Sequence, residues 1–255
     1  MDQLISRSRL GWVVARAGVL AALAACTRFN PGSFTQPESL YHATMREFRH
    51  GRFTRAQSGF QKLVFDLPAR DTIHVRARFY LAETYFGLRD YVTAAREFRR
   101  VADDFPADVL APDALLRAGD SYRQLWRRAE LDASNGETAV ATYQELLGRY
   151  PRSRAAAIAQ ARIRELNEQF ARKDFMAGTF YLRRGAYDSA ILYFRQVIAR
   201  YPSSSLVPDA YIRMVRAYRA IGYREEMEET CEHLREHFGA RADVREECGD
   251  RGIRR

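Results

Sequence analysis

Apolar and polar positions along this chain follow a helical period, and the pattern returns in a repeated unit. The segment GAYDSAILYFRQVIARYP (185–202) sets out Gly185, Tyr187, Ala190, Phe194 and Pro202. GRFTRAQSGFQKLVFDLP (51–68) has Gly51, Phe53, Ala56, Phe60 and Pro68 at the same spacings. RDYVTAAREFRRVADDFP (89–106) keeps Tyr91, Ala94, Phe98 and Pro106, and ETAVATYQELLGRYP (137–151) keeps Ala139, Tyr143 and Pro151. GYREEMEETCEHLREHFG (222–239) is a degraded copy, with Met227 for the alanine, Cys231 for the aromatic and Gly239 for the proline. Apolar residues three and four apart predict an amphipathic helix in each copy.

A second helical stretch precedes most of these segments. It carries a small or slender residue three positions before a tyrosine: Ala82 and Tyr85, Gly119 and Tyr122, Gly178 and Tyr181, Val215 and Tyr218. Small residues let two helices approach, and a large aromatic then fills the groove between them. Proline closes each pair because it cannot continue a helix. Several first helices open on proline followed by an acid, at 37, 112 and 208, which suits the unsatisfied amides of a helix start. This pattern resembles the tetratricopeptide (TPR) repeat, with copies starting near residues 37, 75, 111, 171 and 208. The fold it predicts is all-α: a TPR superhelix of about five helix pairs. Two departures stand out. WRRAELDASNGE (126–137) is inserted in the third repeat, with SNG marking a loop. Residues 154–184 lack proline and predict one long helix that connects repeats three and four and supplies the first helix of the fourth.

The N-terminus reads as a leader. Arg7, Arg9 and Arg16 precede a short apolar run that stops at Cys26. A membrane span needs about 20 apolar residues, so the run fits a secretory signal better. LAAC (23–26) resembles the lipobox of bacterial lipoproteins, in which the cysteine receives lipid and becomes the mature N-terminus. The resemblance implies a lipid anchor at Cys26. Thr27, which is not aspartate, implies sorting to the outer membrane. The organisation expected is a signal peptide at 1–25, a lipidated tether at 26–36, an N-terminal TPR block at 37–152, a long helix with a C-terminal TPR block at 153–240, and a charged tail at 241–255.

Composition narrows the function. Cleavage before Cys26 lowers the net charge from +9 to +7, and nearly all the base is arginine, with lysine only at 62 and 173. Such an excess invites nucleic acid. The leader routes the chain away from it, and the arginines are spread over many helices, so acidic proteins or anionic lipid surfaces fit better. The sequence contains no P-loop, nucleophile elbow, C-x-x-C or H-E-x-x-H motif. HLREH (233–237) places two histidines on one helical face, which reads as solvated surface rather than a metal site. No enzyme, cofactor or metal is expected. Cys231 fills a core slot of the repeat and reads as a small core residue. An oxidising compartment permits a bridge to Cys248, but the sequence leaves that pairing open.

Binding surfaces are the remaining candidates. First helices of TPR arrays line a concave groove. Its positions fall on Tyr41, Met45, Phe48 and Arg49 in repeat one, and on Arg76, Phe79, Glu83 and Phe86 in repeat two. Four aromatics with two arginines, all at positions expected to be exposed, suit an extended peptide with an aromatic side chain and a terminal carboxylate. Aromatic stripes at this spacing also serve as core. In the last repeat Arg213, Arg216 and Arg219 form a basic stripe that reads as a solvated face or as a dock for an acidic domain.

Taken together, the lipobox, short tether, five repeats, insertion and long helix resemble the BamD family of outer-membrane lipoproteins. FYLRRGAYDSAILYFRQVIARYP (180–202) is similar to that family's fourth repeat, and residues 90–125 to its second and third. The resemblance implies a scaffold on the periplasmic face of the outer membrane, held to its inner leaflet by lipid. It also implies docking to a BamA-like barrel protein through a POTRA domain, and reception of the C-terminal peptides of unfolded outer-membrane proteins. The family often has arginine just before the aromatic of the fourth repeat's second helix, where this chain has Tyr193, so the dock is expected to use Arg183 or Arg195 with the Arg213, Arg216 and Arg219 stripe. The alternative is a periplasmic TPR adaptor of the Tol-Pal-associated type, serving division or peptidoglycan synthesis.

Overall fold

The computed structural model describes residues 29–249, and Cys26 with its leader lies outside them. Among the described residues the regular elements are helices: a 3-10 turn at Pro31–Ser33 and eleven α-helices. They fall into two compact units, one up to Leu88 and one from Arg89 onward.

The first unit holds α1 (Pro37–Arg49), α2 (Phe53–Asp66) and α3 (Thr72–Gly87). Helix α1 starts on Pro37 with Glu38 in its first turn, as the proline–acid signal predicts. Asp71 caps α3 by accepting the Ile73 amide at 2.7 Å. Ala56, Phe60 and Leu63 of α2 are buried against Leu40 and Met45 of α1 and against Ala77 and Leu81 of α3. Gly59 leaves room for Thr44 of the neighbouring helix, where a Cβ would collide.

The second unit runs through α4 (Tyr91–Asp104), α5 (Ala111–Leu125), α6 (Ser134–Arg149), α7 (Arg154–Arg183), α8 (Tyr187–Arg200), α9 (Val207–Ile221), α10 (Arg224–Phe238) and α11 (Ala242–Cys248). Ala94, Ala139 and Ala190 are fully buried, and so are Phe98, Tyr143 and Phe194. The small and large positions interlock. Gly119 of α5 faces the Tyr143 ring, and a Cβ on Gly178 of α7 would lie 2.7 Å from the Phe194 ring of α8. In the last pair the sizes are exchanged: α9 presents Val215 and α10 presents the smaller Cys231, both buried.

Helix α7 is unbroken for 30 residues, a length of about 45 Å. Ser153 caps it, accepting the Ala156 amide at 3.1 Å. The insertion before α6 departs from expectation. Ser134, Asn135 and Gly136 are the first turn of α6 rather than a loop. Asp132 accepts the Ser134 amide at 3.3 Å at its start, and the Trp126 ring sits where a Gly136 side chain would be and stacks on Phe170 of α7 at 4.4 Å. Gln169 donates to the Trp126 carbonyl at 3.3 Å, and Lys173 donates to the carbonyl of Leu131 at 2.9 Å. The insertion is therefore pinned onto α7.

The C-terminal cysteines also correct the simple core reading. Cys231 does occupy the core slot, and it is bonded to Cys248, with the two Cα atoms 5.4 Å apart. Residues 242–248, expected as part of a charged tail, form α11 over α9 and α10. Val244 of α11 is fully buried.

Candidate functional site

The aromatic set of the first unit is more closed than its sequence positions imply. Met45 and Phe79, expected to be exposed, are 8% and 9% accessible. Met45 belongs to the core around Phe60, and Phe79 meets Tyr80 edge-on at 5.6 Å. Phe48 is half-buried and touches three rings edge-on: Phe53 at 5.7 Å, Tyr80 at 5.5 Å and Phe60 at 6.3 Å. Tyr41 is half-buried against Phe60, and Phe86 is half-buried. Rings on adjacent helices at this spacing gain more by packing on each other than by lining an empty slot. Arg49 and Arg76 are exposed. Burial, then Tyr80, pushes the Tyr41 hydroxyl up, while the nearby charges of Arg76 and Arg49 pull it down. The Tyr41 hydroxyl thus feels the charge of both arginines. Tyr80 and Phe53, which do not fall on groove positions of the repeat, join the cluster through their contacts with Phe48.

In the second unit the proposed docking residues divide into two groups. Arg183 is exposed at the end of α7, and Tyr193 stacks on Tyr181 with ring centres 5.4 Å apart. Arg195 donates to the Tyr218 hydroxyl at 2.7 Å. Arg213 lies 4.8 Å over the Phe175 ring. Burial lowers its affinity for a proton, and Arg216 and Arg183 add like-charge repulsion. Beside it is a shallow depression of about 460 Å³ lined by Phe175, Met176, Phe180, Arg183 and Arg184. Met176 and Phe180 are 41% and 49% accessible there, and Arg184 covers the Phe180 ring at 4.3 Å. Arg216 and Arg219 form the other group, and they are not a free stripe. Both pair with Glu247 of α11, Arg216 at 2.7 Å, and Arg219 also donates to the Glu247 carbonyl at 2.8 Å. The repeat pattern could not reveal this because Glu247 lies beyond the last repeat.

His233 and His237 stack with ring centres 4.2 Å apart, and Tyr211 packs on His233 at 4.6 Å. No described helix is long and apolar enough to cross a membrane.

Helix pairs interlocked by small and aromatic residues define a TPR-repeat protein, and its faces carry arginine and aromatic side chains. The family model described as outer membrane lipoprotein, YfiO, matches residues 34–234, and the chain belongs to that family. Similar relatives carry the name outer membrane protein assembly factor BamD. The one from Xylella fastidiosa (strain Temecula1) is 30% identical over 207 residues, covering 77% of this chain and 70% of that protein. The one from Rickettsia prowazekii is 23% identical over 175 residues, 69% of each chain. The one from Caulobacter vibrioides is 31% identical over 142 residues, 56% of this chain and 46% of that protein, so the match spans about half of that relative. Among solved structures, the TPR domain of P58(IPK) overlaps with a TM-score of 0.44 at 14% identity, over 82% of this chain and 53% of that one.

Proposed function

We propose that this chain is a non-enzymatic assembly factor for outer-membrane β-barrel proteins, held at the periplasmic face of the outer membrane by lipid on Cys26. Residues 1–25 would be removed and residues 26–36 would tether the repeats to the inner leaflet. The observation that carries the reading is family membership over residues 34–234, which takes in both arginine-and-aromatic faces. The second unit supplies the dock for a BamA-like protein with POTRA domains. Arg183 and Arg213 line its apolar depression with Met176 and Phe180, and Arg195 stands with Tyr193 on α8. The first unit supplies a narrower peptide site than the aromatic count implies: the edges of Tyr41 and Phe48 with Arg49 and Arg76, on which an aromatic C-terminal residue and its carboxylate would rest. Met45 supports that surface from within, and Phe79 packs on Tyr80 beside it.

Affinity purification of the detergent-solubilised, lipidated protein with mass spectrometry tests the reading. A stoichiometric barrel protein carrying POTRA domains is the expected companion, and Arg213→Ala should weaken its recovery. Recovery of Tol-Pal or peptidoglycan-synthesis proteins without such a barrel would replace this reading with the envelope-adaptor alternative.

A further inference from the structure

Helix α11 has seven residues, well below the roughly 12–15 that a helix needs to persist alone in water. It is held by the Cys231–Cys248 bond, by the buried Val244, and by the Arg235 guanidinium donating to the Cys248 carbonyl at 2.9 Å. Arg241, at its N-terminal edge, pairs with Asp209 of α9. The product of these tethers is the position of Glu247, which is 9% accessible on its side chain and sits in the fork between Arg216 and Arg219. Two guanidiniums converging on one carboxylate make strong charge-assisted contacts. Glu247 comes from outside the repeats, while the two arginines stand on α9 in line with Arg213 and the open apolar depression.

We infer that Arg216 and Arg219 form a carboxylate-binding fork, filled in cis by Glu247, and that the Cys231–Cys248 bond decides whether an acidic peptide segment of a partner can take its place. The inference deepens the proposed dock and rests on it for the partner's identity, not for the chemistry of the fork. With the bond intact, Glu247 is present at a high effective concentration and an external carboxylate competes poorly. A dithiol opens the latch. Its thiolate attacks one cystine sulfur to give a mixed disulfide and one free cysteine. Its second thiol then displaces the other cysteine. The dithiol ends as a cyclic disulfide, two electrons reduce the cystine, and Cys231 and Cys248 leave as thiols carrying the two protons. Released from the closed loop, α11 frays and Glu247 leaves the fork. The α9 face then loses one negative charge and presents both guanidiniums, no longer held by Glu247, beside Arg213.

The test uses the full chain and a fluorescein-labelled pentaglutamate peptide, with anisotropy read at low salt. The oxidised protein should bind weakly, and dithiothreitol should tighten binding about tenfold or more. Glu247→Gln, which leaves the cystine intact, should bind tightly without reductant. Arg216→Ala with Arg219→Ala should lose the gain in either state. Far-UV circular dichroism and alkylation mass spectrometry report the fold and the thiol state of each sample. Equal affinity before and after verified reduction, or no gain in Glu247→Gln, overturns the latch. Recovery of the POTRA-bearing barrel protein is scored separately: loss of that partner with peptide gating intact removes the dock and keeps the fork.

Discussion

Glycine occupies the turn between paired helices at Gly51, Gly185 and Gly222, with φ of 70°, 75° and 79°. The same turn between α3 and α4 is made by Arg89 at φ 64°. A side chain there brings Cβ close to the backbone and costs roughly 1–2 kcal/mol, which glycine avoids. Part of any gain is offset because glycine has more freedom to lose on folding. Arg89→Gly is therefore expected to stabilise the protein by about 1 kcal/mol, read as a higher urea midpoint with unchanged slope. An unchanged or lower midpoint would show that the Arg89 side chain contributes as much as its backbone costs. Gly119 and Gly178 inside helices answer to a different cause, the close approach of the Tyr143 and Phe194 rings.

At the scale of elements, what was visible in the sequence was what repeats locally. The helix pairs, the prolines that end them and the long α7 follow from apolar spacing within a dozen or so residues. The inserted segment did not, because its determinants are remote. Trp126 finds Phe170 forty-four positions further on, and its ring excludes a side chain at residue 136. Trp126→Ala should cost about 3–5 kcal/mol and free residues 127–133 from α7. Trypsin should then cut after Arg127 and Arg128 at concentrations that leave the native protein whole. Persistent resistance there would assign the anchoring to Gln169 and Lys173 rather than to the ring.

Across the whole molecule, a large positive charge is partly neutralised inside the fold. Buried Asp120 accepts the Tyr143 hydroxyl at 2.8 Å and has Arg117 at 3.3 Å, Arg162 at 3.6 Å and Arg123 at 3.9 Å. Burial and then the Asp120 charge push the Tyr143 hydroxyl well above the ordinary tyrosine range, so it donates at any physiological pH. In the proposed function the charge that remains faces partners or the anionic surface of a membrane to which lipid holds the chain. Cys26→Ala is expected to abolish radiolabelled palmitate incorporation and to move the protein from the membrane to the soluble fraction. A variant that loses the label and stays with the membrane would show that protein contacts, not lipid, hold it.

The identity of the repeat, the order of its helices and the candidate lipid anchor needed only the chain itself, because helical periodicity and a processing motif are local signals. Which aromatics remain available, which arginines are already satisfied and which cysteine meets which were decided by tertiary structure. Met45 joined a core built from three helices, Phe79 became buried beside Tyr80, Glu247 reached back across 28 residues to Arg219, and Cys248 closed on Cys231. Each of these depends on where distant segments come to rest, and the spacing of residues along one helix carries no record of that.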